Sequence, residues 1–124
     1  MTPFGQRLRE LRAERGVALK DMAAEIGVTP TYLSALERGR RGRPSWGFVQ
    51  RVIQYFNVIW DEAEELQHLA DVSHPRVVID TTDLSPAATL LANRLARAIA
   101  TLEEADLADL LDRLDRAPAR RRGA

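Results

Sequence analysis

The chain has no cysteine, which excludes disulfides and thiolate metal sites. Histidine is nearly absent too: only His68 and His74 occur, one among acidic residues in a helical pattern and one directly before a proline. With no glycine-rich phosphate loop either, no catalytic residue, metal ligand set or cofactor site is expected, and an enzyme is the weakest reading. No apolar run approaches the roughly 18 residues that a membrane span requires, and the first residues lack a signal-peptide pattern. A soluble, cytoplasmic protein without membrane contact is therefore expected. Net charge is also missing, with 18 basic against 18 acidic side chains, which at first argues against a polyanionic partner.

The distribution of charge reverses that argument. Residues 1–57 carry ten basic side chains (nine arginines and Lys20) against five acidic, whereas residues 58–112 carry three against twelve. The last twelve residues return to five basic against one acidic. It is local charge that meets phosphate, so a cationic N-terminal module remains compatible with nucleic acid. At 124 residues the chain can bury one modest core, or one small domain plus an appendage.

The most informative stretch is Leu19 to Gly39. Leu19, Met22, Ala23 and Ile26 recur at i, i+3, i+4 and i+7, which puts one apolar stripe on a helix. Gly27 supplies a left-handed stop, Thr29 an N-cap and Pro30 a first helical residue whose missing N–H costs nothing. A second helix therefore starts almost at once, with Leu33 and Leu36 inward and Thr31, Tyr32, Ser34, Ala35 and Arg38 outward. Two short helices at a sharp angle form a helix-turn-helix.

The run Met22-Ala23, Gly27-Val28-Thr29, Leu33-Ser34 and Leu36-Glu37-Arg38-Gly39-Arg40-Arg41 resembles the XRE family, the lambda-repressor-like DNA-binding domain, over roughly residues 4 to 70. One departure is that the glutamine many members carry at the start of the first motif helix is Leu19. The resemblance implies that the second motif helix enters the major groove by its N-terminal end. It implies base-edge readers at Pro30, Thr31 and Ala35, with Tyr32 flanking and Ser34 near a phosphate. Of these, Pro30 and Ala35 offer only apolar contact, so hydrogen-bonded readout is sparse. It also implies that Arg12 on the first helix pairs with Glu37, fixing the motif structurally. Arg38, Arg40, Arg41 and Arg43 then become the expected grip on the DNA backbone, with one able to reach a guanine.

Around the motif, Phe4, Leu8 and Leu11 mark a helix from about Phe4 to Arg15, whose arginines Arg7, Arg9 and Arg15 are expected to be solvated. Ser45 caps a helix carrying Val49, Val52, Ile53 and Phe56, stopped at Asn57, with Trp46 and Phe48 adding bulk near its start. A fifth helix follows from about Trp60 to Ala70, with Trp60, Ala63 and Leu66 inside and Asp61, Glu62, Glu64 and Glu65 at the positive end of its dipole.

His74-Pro75 breaks the pattern. The β-branched run Arg76 to Thr82 is the one credible strand, either an extended linker or a strand that pairs with its copy in a second chain. Ser85-Pro86 opens a helix with Ala88, Leu91, Leu95, Ile99 and Leu102 on one face. A capping box of Thr101 with Glu104 opens a last one carrying Leu107, Leu110, Leu111 and Leu114. These two helices are too small for a core of their own.

The expected architecture is all-α: a five-helix lambda-repressor-like DNA-binding domain (1–72), a linker with a possible short strand (73–84), a two-helix dimerisation element (85–116) and a disordered basic tail (117–124). The function that follows is a sequence-specific transcriptional regulator, a homodimeric repressor joined through residues 76–114 and bound to double-stranded DNA at an inverted repeat. The alternative is a protein-interaction adaptor or antitoxin-like subunit whose C-terminal helices take another protein.

Overall fold

A computed structural model describes residues 1–118, which leaves Arg120, Arg121 and Arg122 of the basic tail outside the described residues. Seven α-helices and one 3₁₀ turn make up the regular structure of the described residues, and no strand is among them. The chain divides into two units, Met1–Val78 and Ile79–Ala124.

The first unit contains α1 (Pro3–Arg15), α2 (Leu19–Ile26), α3 (Pro30–Glu37), α4 (Trp46–Phe56) and α5 (Asp61–Asp71). Each begins or ends where the local chemistry dictates. Thr2 accepts from the Gly5 N–H and Ser45 from the Phe48 N–H, both at 3.1 Å, satisfying amides that a helix start leaves open. Asn57 takes a left-handed conformation to close α4. The apolar stripes meet in one core: Phe4, Leu8 and Leu11 of α1, Met22, Ala23 and Ile26 of α2, Leu33 and Leu36 of α3, Val49, Val52 and Phe56 of α4, and Leu66 and Ala70 of α5. Phe48 joins this core, whereas Trp46 is exposed.

The ends of the unit are tied together by Ser73. Its buried hydroxyl accepts the Phe4 N–H at 3.0 Å and donates to the Leu69 carbonyl, so one side chain links the start of α1 to the end of α5.

Trp60 is not inside, contrary to the sequence expectation. It is 81% exposed and precedes α5 with φ 53° and ψ −124°, and the core position is filled by Val58 instead. The chain leaves α4 through the left-handed Asn57, which turns Val58 inward and Trp60 out.

The second unit contains α6 (Pro86–Ala98), the 3₁₀ turn Ile99–Thr101 and α7 (Glu104–Arg116). Of the two readings of 76–82, the single chain shows the extended linker: no strand is present among the described residues, and local side-chain bonds shape the run, with Asp80 Oδ1 accepting from the Thr82 N–H at 2.9 Å and from its hydroxyl at 2.6 Å. The Thr82 hydroxyl and N–H hold the Asp80 carboxyl below its usual pKa.

The expected Thr101 and Glu104 box is also displaced. The Thr101 hydroxyl donates back to the Ala98 carbonyl at 2.9 Å, so the cap passes to Glu103, whose N–H is accepted by Asp106 Oδ2 at 3.1 Å. No residue of α6 or α7 is buried.

Candidate nucleic-acid interface

The turn between α2 and α3 is set by Gly27, whose φ of 91° lies in the left-handed region that side chains rarely adopt. Its N–H and that of Val28 both bond to the Ala23 carbonyl, at 2.9 and 3.0 Å. Thr29 Oγ1 then accepts the Tyr32 N–H at 3.0 Å, and Pro30 occupies the first position of α3. Only three residues separate the helices, and the first side chains of α3, Pro30 and Thr31, are exposed.

Pro30, Thr31, Ser34, Ala35, Arg38 and Arg40 line a single open cavity of about 460 Å³ together with Leu19. Six of the nine residues expected to touch DNA thus share one concave face. Leu19 adds an apolar wall to it.

The other three are placed differently. Tyr32 is half-buried, with its ring edge against Phe48 at a centroid distance of 6.1 Å, and Arg41 lies 5.2 Å over its outer face. That contact gives the Arg41 guanidinium an aromatic seat without neutralising it. Arg43 is 3.5 Å from Asp71 in an exposed pair, of a kind worth little in free energy.

Behind this face, α3 is clamped to α1 by backbone proximity and charge. A side chain at Gly5 would place its first carbon 2.2 Å from the Glu37 carbonyl oxygen, so glycine is what lets the two helices approach. Arg12 Nε donates to Glu37 Oε2 at 2.7 Å and Nη2 to Oε1 at 2.9 Å, a two-pronged bond, while Nη1 donates to the Val17 carbonyl at 3.3 Å. Glu37 is only 3% exposed. Its hydrogen bonds hold the Arg12 guanidinium above its ordinary pKa.

Two arginines counted toward the cationic surplus have internal roles. Arg15, expected in solvent, donates to the Phe56 carbonyl at 2.7 Å, and Arg51 donates to the Ile26 carbonyl at 3.0 Å. Each satisfies a carbonyl left open at the end of another helix. Arg7 pairs with Glu10 and Glu14 at 3.3 and 3.4 Å.

By contrast, no carboxylate among the described residues lies within 4.0 Å of Arg38, Arg40, Arg41 or Arg76. Arg40 and Arg41 also line a second open cavity, of about 410 Å³, with Gly39, Gly42, His74, Pro75 and Arg76. The sequence offers no local signal for this meeting, because more than thirty positions separate Arg41 from Arg76; it follows from α5 returning the chain to α1 at Ser73.

Residues 3–67 match the family described as "Helix-turn-helix domain". Among curated proteins, the chain is 34% identical over 69 residues to the HTH-type transcriptional regulator SinR of Bacillus subtilis (strain 168), covering 52% of this chain and 62% of SinR. It is 40% identical over 67 residues to the HTH-type transcriptional regulator DdrOP3 of Deinococcus deserti, covering 53% of this chain and 51% of that protein. Over these matches the chain spans about half the length of its curated relatives. A chain of a solved SinR protein/SinI protein complex superposes with a TM-score of 0.45 at 26% identity, covering 90% of this chain and 94% of that one.

Proposed function

From the membership of this chain in the helix-turn-helix domain family, we propose that it is a sequence-specific DNA-binding transcriptional regulator, a homodimeric repressor that presents two copies of α3 to successive major grooves. The observation that carries this reading is the shared concave face of Pro30, Thr31, Ser34, Ala35, Arg38 and Arg40, where Arg38, Arg40 and the neighbouring Arg41 have no carboxylate within 4.0 Å among the described residues. Thr31 both hydrogen-bonds to a base edge and touches a thymine methyl, while Pro30 and Ala35 make apolar contact only. Arg38, Arg40 and Arg41 supply most of the affinity through phosphates, and Arg43 joins them when its exposed pair with Asp71 opens. The Arg12–Glu37 clamp holds α3 at a fixed angle and reads no base.

Dimerisation through α6 and α7 fits their uncovered leucines: Leu90, Leu91, Leu110, Leu111 and Leu114 are all exposed in the single chain. Two identical subunits imply an inverted-repeat operator with half-sites roughly 34 Å apart. Occupancy of such a site excludes other proteins from it, which is the simplest mode of repression.

The test compares wild type with Arg40→Ala/Arg41→Ala and with Thr31→Ala on duplex DNA at several salt concentrations. The double variant is expected to weaken binding to every sequence and to flatten the salt dependence, by about 0.9 in slope for each phosphate no longer neutralised. Thr31→Ala is expected chiefly to relax sequence preference. An unchanged slope in the double variant removes the phosphate assignment, and a wild type that binds no duplex removes the reading itself.

A further inference from the structure

The cavity formed by Arg40, Arg41, His74 and Arg76 is not absorbed by the reading face of α3. It lies wholly within the first unit, where the chain after α5 passes the loop after α3. Three guanidiniums line one concavity, and no acidic side chain lines it. The nearest carboxylates in sequence, Glu37 and Asp71, are engaged with Arg12 and Arg43. Four arginines elsewhere in this unit find carboxylates or carbonyls: Arg7, Arg12, Arg15 and Arg51 are all bonded. Like charges gathered without a counter-charge repel one another, so the arrangement gains from an anion with several acceptor oxygens.

Two further features shape the choice of anion. Gly39 and Gly42 line the same cavity, so little side-chain bulk keeps a ligand from the loop backbone. Arg40 lines both this cavity and the reading face of α3, so one side chain borders both concavities.

We infer that this cavity is a phosphate-binding site in which His74 and Arg76, from beyond α5, join Arg40 and Arg41 around one phosphate group. The inference deepens the proposed DNA-binding function, on which it rests for the source of that phosphate: a backbone phosphate beside the groove entered by α3. A free phosphate-bearing molecule offers the same chemistry, and the experiment separates the two.

Duplex DNA of random sequence is titrated with the full chain, wild type, Arg76→Ala and Arg76→Lys, between about 50 and 200 mM salt. In parallel, inorganic pyrophosphate is titrated while the backbone amides of residues 39–42, 74 and 76 are followed by NMR. The expected result is a salt slope for Arg76→Ala shallower by about 0.9 per bound protomer, a several-fold loss of affinity at low salt, and recovery of the slope in Arg76→Lys. Arg76 is exposed, so the fold is expected to survive, and a melting curve checks it.

If Arg76→Ala leaves the slope unchanged but abolishes a saturable pyrophosphate response that wild type shows, the site stands and its phosphate comes from a free ligand. If wild type binds no duplex, the proposed function fails and the cavity is judged on pyrophosphate alone. An Arg76→Ala chain identical to wild type in both titrations overturns the inference.

Discussion

The two units are built from the same kind of sequence and bury it in opposite ways. Helix α1 repeats Phe4, Leu8 and Leu11 on one face and buries all three completely or nearly so. Helix α6 and the turn after it repeat Leu91, Leu95 and Ile99 at a similar spacing, yet Leu91 and Ile99 are exposed and no residue of the helix is buried. Periodicity therefore specifies that a face is apolar, not what covers it. In the first unit the covering comes from four other helices of the same chain. In the second, α6 and α7 do not supply it for each other, and a second copy is the occupant proposed above.

The largest expected effects sharpen this contrast directly. Leu33 is fully buried, and Leu33→Ala is expected to cost about 3 kcal/mol or more through lost transfer energy and a residual cavity. That loss is independent of protein concentration. Leu91→Ala is expected to show little effect in dilute protein but to weaken self-association, so that its loss of melting temperature depends on concentration. Sedimentation and thermal melts over a wide concentration range read both. A concentration-independent loss in Leu91→Ala breaks the comparison, since α6 then owes its stability to packing within one chain.

The clamp on α3 comes next. Glu37→Ala leaves Arg12, itself only 18% exposed, without its carboxylate. Breaking a buried pair from one side costs about 3–5 kcal/mol; the partial exposure of Arg12 and its remaining bond to the Val17 carbonyl reduce the expected loss to roughly 2 kcal/mol. Denaturant unfolding measures it. DNA affinity should fall more than Thr31→Ala lowers it, because the whole of α3 loses its fixed angle. A destabilised variant with unimpaired DNA binding would mean that the clamp supports the unit without orienting the helix.

Much of this first unit is legible in sequence. The stop at Gly27, the caps at Thr29 and Ser45 and the stripes of α1 to α4 are local, and each depends on residues within one or two turns of each other. What escapes is anything decided by distant partners. Arg15 reads as a surface charge until Phe56 supplies a carbonyl 41 positions away, and Arg76 reads as part of a strand until α5 brings it to Arg40 and Arg41. The run 76–82 has β-branched residues at its centre, but a strand needs a partner and none is offered among the described residues. The cap of α7 falls at Glu103 rather than Thr101 for a related reason: the preceding helical turn competes for the threonine hydroxyl.

Trp60 gives the smallest effect and the opposite sign. It is an exposed apolar side chain inside the well-packed unit, so it superficially resembles the leucines of α6 and α7, but its cause is different. Its φ of 53° with ψ of −124° lies where only glycine rests without strain, and such a conformation costs about 1–3 kcal/mol. The indole recovers little of that by burial, being 81% exposed. Trp60→Gly removes the strain and adds unfolded-state entropy of about 0.5–1 kcal/mol, so a net stabilisation of about 1 kcal/mol is expected. The same substitution strategy at Leu91 has no strain to relieve, since α6 is a regular helix, and Leu91→Gly is expected only to destabilise. A shift in denaturant midpoint to higher concentration for Trp60→Gly, at unchanged slope, is the readout. A shift to lower concentration would show that the indole packs with an energy greater than the strain it imposes, and would place Trp60 with the covered apolar residues of its own unit.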